Sequence, residues 1–174
     1  MKLLSTPLLL ATAAGLSLAA CNNDAGEEES VTEAEVETTT LTGAIPADSR
    51  FAAALEKAGL ATLFEGPEPY TVLLPPDDAF PEELPEDGEE LASILTMHIL
   101  PGTILAEDIQ AALDREEGAS LELPTYGGSN LTVTSGEGGL MVAVDGGEAV
   151  RLVPGEQTLE NGALHRIDGL LVTG

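Results

Sequence analysis

Asn161-Gly162-Ala163-Leu164-His165-Arg166-Ile167-Asp168-Gly169-Leu170-Leu171 reads as a turn that feeds the last strands of a sheet. Asn-Gly reverses a chain at low steric cost, and Ile167, Leu170 and Leu171 supply the apolar side chains that fill those strands. Upstream the apolar period is two: Leu121 and Leu123, Leu131 and Val133, a short run from Leu140 to Val144, then Val150 and Leu152. Gly127-Gly128, Gly138-Gly139 and Asp145-Gly146 punctuate these runs as turns.

Before Ser120 the period is helical. Asp48 or Ser49 can cap a helix carrying Phe51, Leu55 and Ala58 on one face, with Gly59 as its stop. A shorter helical turn is expected through Leu60, Leu63 and Phe64. Asp87 and Glu90 resemble a capping box, and Leu91, Ile94, Leu95 and His98 then fall at helical spacing. A further helix is expected over Glu107 to Leu113, with Ile109, Ala112 and Leu113 facing inward. Between them, Tyr70 to Leu74 reads as a buried strand stopped by Pro75-Pro76, since neither proline can donate to a ladder. Ile99-Leu100 runs extended into a Pro101-Gly102 turn. Helices early and strands late predict an α+β domain.

Composition narrows the function. Six basic residues stand against 31 acids, a formal charge of −25. Nucleic-acid binding requires a basic footprint that releases counterions, and none is present. The chain has no tryptophan, and Phe51, Phe64, Phe80, Tyr70 and Tyr126 are its aromatic residues, so sugar binding on stacked aromatic platforms is disfavoured. Gly-x-Ser-x-Gly, His-Glu-x-x-His and phosphate-loop signatures are missing. No catalytic residue, cofactor or metal site is therefore expected. The acids at Asp77-Asp78, Glu82-Glu83, Glu86-Asp87 and Glu89-Glu90 lack the alternating spacing and glycine of an EF-hand loop and read as a solvated face. His98 and His165, the only histidines, each sit at the edge of an apolar run, where a ring nitrogen can satisfy a backbone carbonyl. The Asn130-Leu131-Thr132 sequon is short enough to occur by chance.

The N-terminus carries an address. Lys2 precedes an apolar stretch that ends Leu18-Ala19-Ala20-Cys21, and Cys21 is the only cysteine. This arrangement resembles a bacterial lipoprotein signal, with residues 1–20 removed and Cys21 lipidated. At about 0.8 kcal/mol per buried methylene, acyl chains there would anchor the protein to a membrane, and no thiol would remain for a disulfide. Asn22, rather than Asp, favours the outer membrane of a Gram-negative envelope. Residues 21–42 contain seven acids and no base and read as an acidic, disordered tether. Some twenty extended residues reach at most roughly 65–70 Å, enough to hold the domain at 43–174 clear of the bilayer.

Three ordered stretches resemble a fasciclin domain: Tyr70-Thr71-Val72-Leu73-Leu74-Pro75-Pro76-Asp77-Asp78-Ala79-Phe80, His98-Ile99-Leu100-Pro101-Gly102, and Asn161 through Leu171. The resemblance implies a compact wedge of two packed β-sheets with helices on one side, and a non-catalytic adhesion activity without cofactor. It assigns Thr71, Pro75, Asp77, Phe80, His98, Pro101, Gly102, Asn161, Gly162, His165, Ile167 and Asp168 to the family motifs, mainly as structural residues. Two positions depart from the family. Leu73-Leu74-Pro75-Pro76 stands where Phe-Ala-Pro-Thr is frequent, and Met97 replaces the tyrosine that serves integrin binding in some animal members. Integrin-type recognition is therefore not carried over. The expected partner is an envelope, matrix or neighbouring-cell protein, bound by a monomer. The alternative is a periplasmic binding protein for a small hydrophobic ligand. Replacing Cys21 with Ser is expected to move the protein from the membrane to the soluble fraction on cell fractionation; a variant that still sediments with membranes would refute the lipid anchor.

Overall fold

The computed structural model describes residues 39–115, 120–136 and 138–174; the leader, Cys21 and most of the tether lie outside them. Four helices and seven strands succeed one another along the described chain. They are α1 (Leu41–Ala44), α2 (Arg50–Lys57), β1 (Tyr70–Leu74), α3 (Gly88–Thr96), β2 (Ile99–Pro101), α4 (Ala106–Arg115), β3 (Leu121–Pro124), β4 (Asn130–Gly136), β5 (Gly139–Val144), β6 (Val150–Leu159) and β7 (Gly162–Ile167). Single 3₁₀ turns cover Ala61–Glu65 and Asp77–Ala79.

Local chemistry explains the helix ends. The Ser49 hydroxyl accepts the Ala52 N–H and donates to the Pro46 carbonyl, so α2 starts there. Gly59, at φ +71°, lets the Leu60 N–H reach back to the Leu55 carbonyl at 2.8 Å, a glycine-terminated stop. Asp87 opens α3 by accepting the Glu89 N–H. The helix ends at Thr96, so His98 leads into β2 instead of continuing the helical face. The folded part reaches back to α1, whose Leu41 is fully buried. The tether boundary expected at residue 42 therefore falls inside a helix.

The strands form one seven-stranded sheet in the order β2-β1-β7-β6-β5-β4-β3. Pairing is antiparallel except where β1 runs parallel to β7, Tyr70 opposite Gly162 through Leu74 opposite Arg166. The expectation of two separate sheets is corrected by β6. Its first residues, Val150 and Arg151, pair with β5, and the stretch from Leu152 to Leu159 pairs with β7, with a register shift between Val153 and Gln157. Pro154 removes a donor there and Gly155 takes φ +106°, which produces the bulge. The free edges also meet: after β3, the Tyr126 N–H donates to the Ile99 carbonyl of β2 at 2.7 Å, covering an edge that would otherwise invite pairing.

Every residue of β1 is buried. Val72 and Leu74 belong to one apolar cluster, with Leu41, Phe51, Leu55, Leu91 and Leu95 from α1, α2 and α3. Leu73 faces a second cluster, with Leu131, Val133, Val142 and Ile167 from the sheet and Ile109 and Leu113 from α4. The helices are thus not confined to one side, because a strand apolar on both faces needs cover on both.

His98 ties these layers together. Its ring is fully buried, with Nδ1 2.8 Å from the Ile94 carbonyl and Nε2 3.0 Å from the Leu171 N–H. A carbonyl only accepts and an amide N–H only donates, so the ring is neutral with its proton on Nδ1. The same residue's backbone carbonyl accepts the Leu73 N–H, and the ring meets Phe51 edge-on at 6.3 Å. Burial pushes the His98 pKa down from 6.5 to about 4, against the opposing pull of the Ile94 carbonyl.

This packing generates two predictions. Gly162 sits at φ +149°, and a Cβ added there would collide with the Tyr70 carbonyl oxygen. Gly162→Ala is expected to cost roughly 2–5 kcal/mol in urea denaturation; a loss under about 0.5 kcal/mol would contradict so close an approach. For His98, the unfolded chain binds the extra proton between pH 6.5 and about 4, so the neutral ring's contribution is present above that window and lost as pH falls through it. The stability gap between wild type and His98→Gln should therefore shrink by about 3 kcal/mol from pH 7 to pH 4, and a gap that does not change would sink the assignment.

Candidate functional site

Most of the family-motif side chains are engaged in holding the fold. Asn161 accepts the Leu41 N–H through Oδ1 at 2.8 Å and donates from Nδ2 to the Phe64 carbonyl at 2.9 Å. Its backbone carbonyl accepts the Tyr70 N–H, so one residue joins α1, the first 3₁₀ turn and β1. Thr71, buried on β1, donates to the Gly102 carbonyl and accepts the Ile104 N–H. These bonds fix the loop turned by the exposed Pro101 and the half-buried Gly102, the latter at φ +91°. Pro75 is buried and ends β1. Asp77 accepts the Arg50 N–H at 2.9 Å, placing a carboxylate at the start of α2. Phe80 inserts below that turn, 6.4 Å from the Phe51 ring. Ile167 is core. Asp168 receives the Arg151 N–H at 2.6 Å and pairs with the Arg151 guanidinium at 3.2 Å on an exposed edge.

His165 is buried on β7, with Nε2 2.7 Å from the Ile104 carbonyl and Nδ1 3.4 Å from Glu156 Oε2. It lines a cleft of about 320 Å³ between α4 and the sheet, together with Glu156, Gln110, Leu140 and Leu152. His98 is not part of this cleft, and both its ring nitrogens are bonded elsewhere. The two histidines and a carboxylate therefore do not converge on one site. Among the described residues no three of His, Cys, Asp and Glu gather in a way that could hold a metal ion. In the acidic segments, Asp77 and Asp87 accept backbone N–H groups.

Two open clefts lie along the outside of β6 and β7. An open cleft of about 540 Å³ runs between the α1–α2 loop, the segment after β1 and the outer positions Val153, Arg166 and Asp168. A second, of about 720 Å³, adjoins it and is lined by Arg151, Met141 and Val172; Asp78 and Asp168 belong to both. Val153 and Val172 are 37% and 42% exposed, and Val153 stands directly across from Arg166. The groove thus combines two exposed valines, two arginines and several carboxylates, a lining of mixed apolar and charged character. Val153, Val172 and Glu156 carry no signal in the sequence. Each is an isolated residue in a strand or loop whose partners are remote, and only the β6 bulge brings Glu156 to His165.

Residues 47–173 match the Fasciclin domain family. The chain is 34% identical over 131 residues to Transforming growth factor-beta-induced protein ig-h3 of Sus scrofa, covering 69% of this chain and 17% of that protein. It is 27% identical over 133 residues to Protein sll1483 of Synechocystis sp., covering 71% and 66%. The chain thus spans less than two thirds of the length of either relative. Its fold resembles that of a FAS1 domain pair from the insect cell adhesion molecule Fasciclin I, with a TM-score of 0.56 at 22% identity, covering 70% of this chain and 43% of that one. By the match over residues 47–173, this chain belongs to the fasciclin family, whose domains are commonly adhesion or protein-interaction modules and generally non-catalytic.

Proposed function

We propose that this chain is a lipid-anchored adhesion or protein-interaction module of the cell envelope, held through Cys21 and meeting its partner with the grooved outer face of β6 and β7. The observation that carries the reading is the pairing of family membership with an open groove that exposes Val153 and Val172 beside Arg151 and Arg166. Exposed apolar side chains rimmed by polar ones favour protein contact. The name of the insect structure, a cell adhesion molecule, supports the same class. An outer-membrane anchor, a protein partner in the envelope, matrix or a neighbouring cell, and a monomeric domain complete the proposal.

The net charge of −25 constrains how contact is made. At physiological salt, repulsion between acidic surfaces is screened beyond about 8 Å, so an approaching partner meets it only at short range. Arg151 and Arg166 place two cations among the carboxylates of the groove.

Intact cells producing the full chain test the reading, scored for attachment to a protein-coated surface, with proteolysis of the exposed domain as a control. Val153→Glu with Val172→Glu should reduce attachment by about tenfold, a change of roughly 1.4 kcal/mol, while the melting temperature holds, since neither side chain belongs to the core. Wild-type cells that attach no better than cells lacking the protein would overturn the adhesion reading. If wild-type cells do not attach but a small apolar ligand saturates the cleft beside Leu140 and Leu152, the small-ligand alternative is favoured.

A further inference from the structure

The contact between His165 and Glu156 carries a proton requirement. Nε2 of His165 lies 2.7 Å from the Ile104 carbonyl, which has no proton to give, so Nε2 bears hydrogen and donates. In a neutral ring Nδ1 is then a bare lone pair. Nδ1 faces Glu156 Oε2 at 3.4 Å, and a carboxylate oxygen is also an acceptor. Two lone pairs set against each other repel, all the more where the imidazole is 1% exposed. A proton on Nδ1 converts the same contact into an ion pair.

Glu156 Oε2 has a second duty. It accepts the N–H of Ala106 at 2.8 Å, at the first residue of α4, where the helix dipole favours negative charge. One oxygen therefore links β7, β6 and α4. The β6 bulge makes this possible: Val153 pairs with Arg166 and Gln157 with Leu164, so Pro154, Gly155 and Glu156 together span the single position of His165. Glu156 stands outside the regular ladder, and its side chain can move without breaking a strand pair.

We propose that His165, Glu156 and the first amide of α4 form a proton-operated latch, closed when His165 is an imidazolium and released when its Nδ1 proton passes to solvent through the cleft. In the closed state the cation holds the carboxylate across the cleft on the end of α4. Once the proton leaves, the ring is neutral, the carboxylate keeps its charge and is repelled, and the Ala106 N–H loses its acceptor. Of the residues lining the cleft, α4 contributes Ala106 and Gln110, β5 contributes Gly139 and Leu140, and β6 contributes Leu152 to Glu156. On β1, Leu73 is the cross-strand neighbour. Glu156 is the one titratable group among them that faces the ring.

The test is a pH titration of the full chain, labelled with nitrogen-15, monitored by NMR between about pH 4 and pH 8. Two readouts are needed: the His165 ring nitrogens, whose shifts converge when both carry protons, and the exchange protection of the Ala106 amide. Protection should fall by roughly tenfold as His165 loses its proton. In Glu156→Gln, the neutral amide can accept from Ala106 and donate to Nδ1 together, so protection should stay level across the range. Constant Ala106 protection through the wild-type His165 titration would overturn the latch, and so would a ring that never protonates at Nδ1. A protection step that survives in Glu156→Gln would overturn it as well. The wild-type titration decides the matter alone if the variant is unstable.

Discussion

The His98 imidazole, donating to the Ile94 carbonyl and accepting the Leu171 N–H, is the constraint on which the remaining structure rests. It links α3 to Leu171, 73 positions beyond His98 itself, so the bond that fastens the C-terminal segment needs a neutral ring in one tautomer. The interaction is valuable because it is buried: an orphaned donor or acceptor there would cost about 1–3 kcal/mol, and a charge would cost more. Asn161 makes the matching closure at the other end, 120 positions from Leu41. A chain with one cysteine can form no disulfide within itself, so such long-range polar ties join remote segments alongside the apolar packing.

The two nodes show how much of the fold was readable in advance. The Asn161-Gly162 turn, the β1 run and the helices beginning at Ser49 and Asp87 were legible because each is a local pattern: a turn residue, a period or a cap. The number of sheets was not. It turns on β6, whose N-terminal end pairs with β5 at only two positions, Val150 and Arg151, before Pro154 and Gly155 shift the register against β7. A proline within an otherwise strand-like segment reads as a terminator, yet a bulge accommodates it. The placement of α4 was hidden for a related reason. Its inward residues, Ile109 and Leu113, showed that one face is buried but not which of the two apolar clusters it would join. The residues at 41 and 42 read as tether because an acidic, threonine-rich stretch adjoins them, and the burial of Leu41 depends on Asn161.

The candidate site was legible in its family motifs and illegible in its surface. His98, Asn161, Gly162 and Thr71 could be located because motif residues are held in place by backbone geometry. Their hydrogen bonds leave them little to offer a partner: both nitrogens of His98, both polar atoms of the Asn161 side chain and the Thr71 hydroxyl are engaged. Val153 and Val172 carry no such signature. An exposed valine in a strand is ordinary in sequence, and it acquires meaning only when the fold sets it beside Arg166 or Arg151 along an open groove.

This division of labour arises from where the sheet is tightest. β1 is buried throughout and flanked by two strands, so substitutions there are felt in both apolar clusters. β6 has the weakest pairing on one side, a bulge at its centre and alternate residues turned to solvent. It can change its outer side chains without disturbing the core, because Val150 and Leu152 point inward while Arg151 and Val153 point out. The exposed ion pair between Arg151 and Asp168 adds little to stability, so the Arg151 guanidinium can turn away at small cost, while Asp168 stays tied to the Arg151 N–H. The outer positions of β6 are therefore free to vary where its inner ones are not, whereas β1, buried at every position, has no such freedom.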